Sequence, residues 1–292
     1  RRFGTGLMTN AGAPDLKALL ARSAGDTNAF LEREVFAKIR ADCPPALSAP
    51  IIYSYSAPGK RLRPALCLWS AGLIPDPIAP EAAAADFTNL DLSDPDRAVF
   101  FASAAVEAIH TYSLIHDALP AMDDDDLRRG RPACHIAYSE WAAILAGDAL
   151  NTLAFELLGH AARAANAPAL LLELNAALSF GAGRMVSGQA LDLESERDEA
   201  ADGDRLQAFS QDRLQAFSQD RLQAIHRQKT AALIRAALEL GAILLIHREP
   251  DVTPEYRERL ARYGEELGLL FHIVDDILDV EGSSAELGKT AG

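Results

Sequence analysis

The feature that most constrains this 292-residue chain is an apolar periodicity close to 3.6 residues, which continues through almost every segment. In the run VFFASAAVEAIHTYSL, residues 99–114, the apolar side chains fall on one helical face. The alternation of β-branched and aromatic residues that is typical of strands is missing. The sequence therefore predicts an all-α protein, a single-domain bundle of long helices.

Proline clusters such as Pro44-Pro45 and Pro75 to Pro80 mark the breaks between the predicted helices. Helices are predicted at 14–22, 27–41, 62–73, from Val99 to near Pro120, and at 138–162, 168–195, 224–247 and 255–280. Because no linker divides this pattern, residues 8–292 are expected to form one domain. Residues 1–7 precede Met8 and lack an apolar segment, which is typical of vector-derived sequence.

One segment is repetitive: DRLQAFSQ occurs at 204–211 and 212–219, and its first five residues recur at 220–224. Eight residues turn about 800° on a helix, so the repeated leucines cannot share one apolar stripe. The period is also too short for a solenoid. A local duplication or an artefact of the sequence record is favoured, and an extended surface helix is the alternative.

Composition excludes several classes of protein. The formal charge, 28 basic against 42 acidic residues, is −14, which disfavours nucleic acid as a partner. Apolar runs such as Gly241 to Ile246 are short, which predicts no membrane span. The three cysteines are widely spaced and show no metal-binding pattern, so a reducing cytoplasm is the expected location.

Acidic residues are concentrated in two clusters, Asp117 with Asp123 to Asp126, and Asp275, Asp276 and Asp279. Asp275 and Asp279 are one helical turn apart and face the same way among apolar neighbours. Paired carboxylates on such a face repel unless a cation compensates them, and Mg²⁺ takes carboxylate and phosphate oxygens. A solvated acidic face is the alternative, and it is stronger for Asp124 to Asp126.

Basic residues are grouped as well, in GKRLRP at 59–64, at Arg128-Arg129, and at Lys229 and Lys289. Taken singly, each is more often a solvated surface charge. Together with the acidic clusters they predict a site for polyanions, bound partly through metals and partly through Arg and Lys.

These motifs resemble those of the trans-isoprenyl diphosphate synthase (polyprenyl synthetase) family, most closely its bacterial farnesyl diphosphate synthase branch. Five occur in the family's order: GKRLRP at 59–64, HDALPAMDDDDLRRG at 116–130, GQALDLESE at 188–196, KT at 229–230 and DDILD at 275–279. The likeness extends from about Arg33 to the last residue. It implies a helical bundle around a deep central cavity, and usually a homodimer.

The resemblance also implies a role for each matching residue. Mg²⁺, three ions in all, would be held by Asp117, Asp123, Asp275 and Asp279. The allylic diphosphate would be bound by Arg128, Lys229 and Lys289, with His272 nearby, and the carbocation steadied by Thr230 and Gln189. The diphosphate of isopentenyl diphosphate would be bound by Lys60, Arg63, His110 and Arg129.

The chemistry so implied is a prenyl transfer, in which dimethylallyl or geranyl diphosphate ionises, isopentenyl diphosphate attacks the cation, and a proton is lost. The growing tail would run down the helix that carries the first motif. Tyr112 and Ser113 lie about one turn deeper than Asp117. A bulky Tyr112 is expected to form the floor that limits the product to farnesyl diphosphate; a plain core aromatic is the alternative.

The sequence also departs from the family pattern. Ala118 stands where the first motif has its second aspartate, and His272 and Gln228 stand where the family has Gln and His. The second motif is followed by LGKTAG, where relatives usually continue. A catalytically impaired or regulatory homologue, a geranylgeranyl diphosphate synthase and a terpene cyclase therefore remain alternatives, although GKRLRP argues against a cyclase.

Overall fold

The all-α prediction is confirmed by a computed structural model, which describes residues 15–74, 94–201 and 222–281, excepting the side chains of 94, 196–201 and 275–281. Its helices are α1 (Leu16–Phe30), α2 (Ala37–Asp42), α3 (Pro45–Tyr55), α4 (Leu62–Ser70), α5 (Asp94–Asp117), α6 (Cys134–Ala137), α7 (Glu140–Ala164), α8 (Leu170–Ala201), α9 (222–226), α10 (Ala232–Arg248) and α11 (Glu255–Glu281). Residues 1–7, both full DRLQAFSQ copies and Lys289 lie outside the described residues.

The structure differs from the predicted pattern in several places. The π-helical turn Leu31–Phe36 joins α1 to α2, so the two predicted N-terminal helices are one continuous helical segment. Helix α3 was not predicted, because Pro44-Pro45 was interpreted only as a break; Pro45 occupies the first helical turn, where its missing N–H costs nothing. A two-stranded antiparallel ribbon, β1 (Leu127–Arg128) and β2 (Arg131–Pro132), also escaped the sequence analysis.

Helices α5 and α10 form the centre of the bundle. Helix α5 packs on α4, α7 and α10, and α10 packs on α4, α5, α8 and α11. Many of the buried residues on α5 and α7 are alanines, including Ala104, Ala105, Ala108, Ala143 and Ala146. Small side chains let these helices approach closely, and this explains how a core with few aromatic residues is still well filled.

The sequence predicts apolar runs too short to span a membrane, but three of the described helices meet the length and composition that a span requires. Pro95–Asp117, Glu140–Ala164 and Leu222–Arg248 are each long and apolar enough to cross one. In the first and third of these, 83% and 78% of the apolar window is buried inside the bundle, so protein already covers these two helices. The second buries only 44%, which leaves an apolar face exposed on α7.

A buried ion pair anchors the start of α4 to the middle of α5. Arg61 adopts a left-handed conformation, with φ of 49°, at the N-cap of α4. Its Nη1 donates to Glu107 Oε1 at 2.7 Å, and both side chains are at most 2% exposed. Its other nitrogens donate to Asn28 Oδ1 at 2.9 Å and to the Tyr55 carbonyl at 2.8 Å. The guanidinium therefore links α1, α3, α4 and α5.

We predict that Glu107→Gln destabilises the protein by about 3 kcal/mol, because it leaves the buried charge of Arg61 without a counter-charge. The matched control is Glu34→Gln, which breaks the more exposed 2.7 Å pair with Arg97 and should cost less than about 1 kcal/mol. Urea unfolding of both variants measures the difference. Equal losses would show that the buried pair contributes no more than a surface one.

Candidate active site

The first acidic motif is folded back on itself at the end of α5. Pro120 prevents the helix from continuing, and the Asp123 N–H donates to the Asp117 carbonyl at 2.8 Å, which caps the helix end. Asp124 follows with φ of 50°. The cap places Asp123 beside Asp117, so the two aspartates predicted as metal ligands share one wall of the bundle.

Asp117 is a buried carboxyl group whose pKa is raised. Burial is the main cause that raises its pKa from 3.8 to about 6, and the nearby carboxylates of Asp123 and Asp192 act in the same direction. The positive charges of Lys229 and Arg128 oppose the increase. A carboxyl group in this setting favours an additional cation beside it, and that requirement suits a hard divalent ion.

Two cations are held against these carboxylates. Arg128 Nη2 donates to Asp123 Oδ2 at 2.7 Å and lies 2.9 Å from Asp125 Oδ2. Lys229 Nζ donates to Asp192 Oδ2 at 2.6 Å. Both residues were predicted to bind the allylic diphosphate, and the structure places both next to Asp117. Asp192 was missed by the sequence analysis, although it stands within GQALD.

Lys229 and Thr230 lie on a π-helical turn, Arg227–Ala231, between α9 and α10. Such turns are frequent at functional sites. Two glycines allow the neighbouring helices to approach this turn. A Cβ on Gly188 of α8 would lie 2.3 Å from the backbone nitrogen of Lys229, and a Cβ on Gly268 of α11 would lie 2.3 Å from the Cα of Ala231. Both neighbouring helices therefore touch the turn that carries Lys229.

Gln189 and Ala118 complete this wall. Gln189 is 8% exposed; its Nε2 lies 3.5 Å from Asp123 Oδ1, and its buried Oε1 has no hydrogen-bond partner among the described residues. Ala118 is 1% exposed, so its methyl group is enclosed by protein. The replacement of the second aspartate by Ala118 therefore leaves no gap in the wall, and Asp117 and Asp123 keep their places.

The second cluster of predicted residues gathers around His110. Burial first, then the positive charges of Arg63, Arg129 and Arg61, lower the pKa of His110 well below its ordinary value. His110 is therefore neutral at pH 7, and it adds a hydrogen-bonding group to a cationic cluster without adding a charge. Three of the four residues predicted for isopentenyl diphosphate, Arg63, His110 and Arg129, thus lie together.

Backbone conformation explains how Arg129 reaches this cluster. Arg129 and Gly130 form the two-residue loop of the β1–β2 ribbon and have φ of 54° and 71°, as a tight hairpin of the primed type requires. The Arg129 guanidinium lies against Gly59, where a Cβ would be 3.3 Å from its Cζ. It also lies 3.5 Å from Glu107, and its buried Nη1 has no partner among the described residues. Lys60, next to Gly59, is exposed.

The remaining predicted residues are placed less completely. The ring of His272 stacks on that of His226, with centroids 4.1 Å apart. Asp275 and Asp279 lie on α11, but their side chains, like the whole of Lys289, are outside the described part of the chain. A cavity of about 320 Å³, lined by Phe180, Arg184 and other residues of α8 to α11, contains none of the predicted site residues.

The described side chains fit a magnesium site only in part. They contain no group of three potential ligands already gathered for a metal. Mg²⁺, however, is usually held by one or two carboxylates together with substrate phosphates and water. Asp117, with its raised pKa, and the adjacent Asp123 supply oxygen ligands of this kind.

Comparisons with known proteins identify the family to which the sequence is similar. Residues 44–292 match the family model described as polyprenyl synthetase. The chain is 41% identical to a farnesyl diphosphate synthase of Haemophilus influenzae over 91% of this chain and 76% of the relative. It is 38% identical to geranylgeranyl pyrophosphate synthase 9, chloroplastic, of Arabidopsis thaliana over 97% and 68%.

A solved structure is similar over most of its length. The geranyltransferase of Helicobacter pylori, complexed with magnesium and isoprenyl diphosphate, superposes with a TM-score of 0.69 and 29% identity. The match covers 97% of this chain and 81% of that one.

We predict that Asp117→Asn raises the melting temperature of the metal-free protein above about pH 6. A folded-state pKa raised from 3.8 to about 6 means that ionised Asp117 opposes folding, so stability is lost as the pH rises through this window. The gain should shrink towards pH 4, where the carboxyl is protonated in the folded state and about half protonated in the unfolded chain. Thermal unfolding in EDTA between pH 4 and 8 measures it.

The control is Asp123→Asn, which breaks the 2.7 Å ion pair with Arg128 and should lower the melting temperature at pH 7.5. If Asp117→Asn behaved like this control, the unfavourable burial of the Asp117 charge would be disproved.

Proposed function

Since this chain belongs to the polyprenyl synthetase family, we propose that it joins isopentenyl diphosphate to dimethylallyl or geranyl diphosphate, with farnesyl diphosphate as its main product. The observation that carries the proposal is that one bundle holds two groups of charged side chains, each suited to one diphosphate. One contains Asp117, Asp123, Arg128 and Lys229, and the other contains Arg63, Arg129 and the neutral His110. A condensation of two diphosphates needs both.

Asp117 and Asp123 would hold Mg²⁺ on their wall, and we propose that three ions act in all, with Asp275 and Asp279 as the ligands on the opposite wall. Bound there, magnesium supplies charge neutralisation to the departing diphosphate. A related structure supports magnesium as the metal, because the Helicobacter pylori geranyltransferase is complexed with magnesium and isoprenyl diphosphate.

The protein's own cations would act at the same place. Arg128 and Lys229, now 2.7 and 2.6 Å from their carboxylate partners, can donate to the allylic diphosphate as its C–O bond breaks. Fixed donors of this kind stabilise charge as it develops on a leaving group. Thr230, on the same π-helical turn as Lys229, and Gln189 would place oxygen dipoles near the carbocation.

At the second site, Lys60, Arg63 and Arg129 would bind the diphosphate of isopentenyl diphosphate, and His110 would donate or accept as a neutral ring. The low pKa of His110 keeps it neutral over the working range, so it can take no part as an acid near pH 7. The proton lost after condensation would pass to an oxygen of the departing allylic diphosphate.

The test is incubation with Mg²⁺, radiolabelled isopentenyl diphosphate and dimethylallyl or geranyl diphosphate, followed by chromatography of the products. Extension of either primer to C15 supports the proposal. Failure to extend any allylic primer would favour the impaired or regulatory homologue suggested by Ala118.

Tyr112 supports a C15 rather than a C20 product. It is 8% exposed and lies on α5, one turn before Asp117, and the charge of Asp117 adds to burial in raising its pKa. The chain is similar to both farnesyl and geranylgeranyl synthases, so we infer the product length from the position of Tyr112.

We predict that Tyr112→Ala shifts the product towards C20, because it removes the ring that would block the growing tail. Tyr112→Phe keeps the ring and should keep the C15 product, so it is the control. The ratio of C20 to C15, measured by chromatography of the dephosphorylated alcohols, decides. An unchanged ratio in Tyr112→Ala would make Tyr112 a core aromatic only.

We further propose that a second copy of the chain covers the exposed apolar face of α7. Trp141, Ile144 and Leu145 are 57%, 44% and 47% exposed, and Ile136 and Tyr138 nearby are 52% and 43% exposed. Contiguous apolar surface of this kind is typical of a protein interface. A second copy is the partner that the family resemblance implies.

We predict that Trp141→Glu converts a dimer to a monomer, because it places a charge in the middle of this surface. Leu172→Glu, at a residue 78% exposed on α8, is the control and should leave the mass unchanged. Size-exclusion chromatography with light scattering measures both. A wild-type protein that is already monomeric would disprove the proposed interface.

A further inference from the structure

Helix α7 is notched opposite the last turn of α5, and His116 fills the notch. A Cβ built on Gly147 would lie 2.1 Å from His116 Nε2 and 2.4 Å from its Cδ2. Gly147 is therefore glycine because the imidazole occupies the space that any side chain would take. Gly159, just over three turns later on the same helix, has nothing within 4 Å of such a Cβ.

His116 is held in the notch by a hydrogen bond. Its Nε2 lies 3.1 Å from the carbonyl oxygen of Ile144 and 4.0 Å from Asp148 Oδ1, both on α7. A carbonyl oxygen only accepts, so Nε2 carries the proton and donates it. Steric fit and hydrogen bond together fix the position of the ring.

The other side of the imidazole contacts Tyr112, one turn earlier on the same face of α5. The two rings meet edge to face, with centroids 5.7 Å apart and an angle of 80°. This is a favourable geometry for an aromatic pair. With His116 fixed against α7, Tyr112 cannot swing towards the notch.

We propose that the Gly147 notch is a determinant of product length: it seats His116, and His116 holds Tyr112 in place as the floor that stops the growing prenyl tail. The inference rests on the proposed function, and it adds two residues, neither of which touches substrate. Gly147 and His116 are positioning residues that act through Tyr112.

The test is Gly147→Ala, with Gly159→Ala as the matched control on the same helix. The added methyl group collides with a rotatable ring rather than with backbone, so His116 should move while the helices stay in place. We expect the ratio of C20 to C15 to rise about two- to tenfold in Gly147→Ala, the range that corresponds to one lost ring contact. The ratio in Gly159→Ala should equal that of the wild type.

His116→Ala separates this role from a general loss of stability. It should raise the C20 to C15 ratio by itself, and Gly147→Ala should add nothing in that background because the notch is then empty. In a Tyr112→Ala background neither change should lengthen the product further. Thermal unfolding of each variant identifies any that fails to fold, and His116→Ala still tests the inference if Gly147→Ala does not fold.

The outcomes are distinct. If the wild type and Gly159→Ala extend no primer, the proposed function fails. If both make C15 and neither Gly147→Ala nor His116→Ala changes the C20 to C15 ratio, only the notch inference is overturned. It is also overturned if Gly147→Ala shifts the ratio equally with and without His116.

Discussion

The buried ion pair between Arg61 and Glu107 fixes the position of the cationic cluster that surrounds His110. Such a pair costs free energy unless its remaining hydrogen-bonding groups are satisfied, and the Arg61 nitrogens meet this condition through Asn28 and the Tyr55 carbonyl. Because Lys60 and Arg63 flank Arg61, anchoring this residue fixes the loop that presents them. Glu107 also receives Arg129 from the β1–β2 ribbon, so one carboxylate organises cations from two distant segments.

The acidic cluster around Asp117 is positioned by close helix packing instead. Gly188 lets α8 lie against the π-helical turn at Lys229, and this contact brings Asp192 within 2.6 Å of the Lys229 amine. A methyl group at Gly188 would push α8 away from that turn. Gly188 on α8, Gly268 on α11 and the π-helical turn between α9 and α10 therefore act together. Close contact between backbones determines where the side chain of Lys229 lies.

The sequence predicted the helical class and most helix positions, because periodicity is a local property, and its motif order named candidate site residues that the structure brings together around Asp117 and His110. It did not predict how these residues pair. Glu107 lies 46 positions from Arg61, and Asp192 lies 37 positions from Lys229; no spacing rule relates residues so far apart. The left-handed conformations of Arg61 and Arg129 were equally hidden, since non-glycine residues rarely adopt them. A charged Glu107 inside an apolar helical run was the one available signal of a buried partner.

The pairing of charges also explains how an acidic protein can bind diphosphates. Arg128, Lys229 and Arg129 each contact a carboxylate, of Asp123, Asp192 and Glu107 respectively. A diphosphate that approaches Arg128 and Lys229 must compete with Asp123 and Asp192, and displaced carboxylates with no counter-charge would repel it. Divalent cations that arrive with the ligand would bind the carboxylates of Asp123 and Asp192, while the phosphates would bind Arg128 and Lys229. Binding is then an exchange of partners in which each charge stays compensated, so the affinity for diphosphate and for metal should rise together.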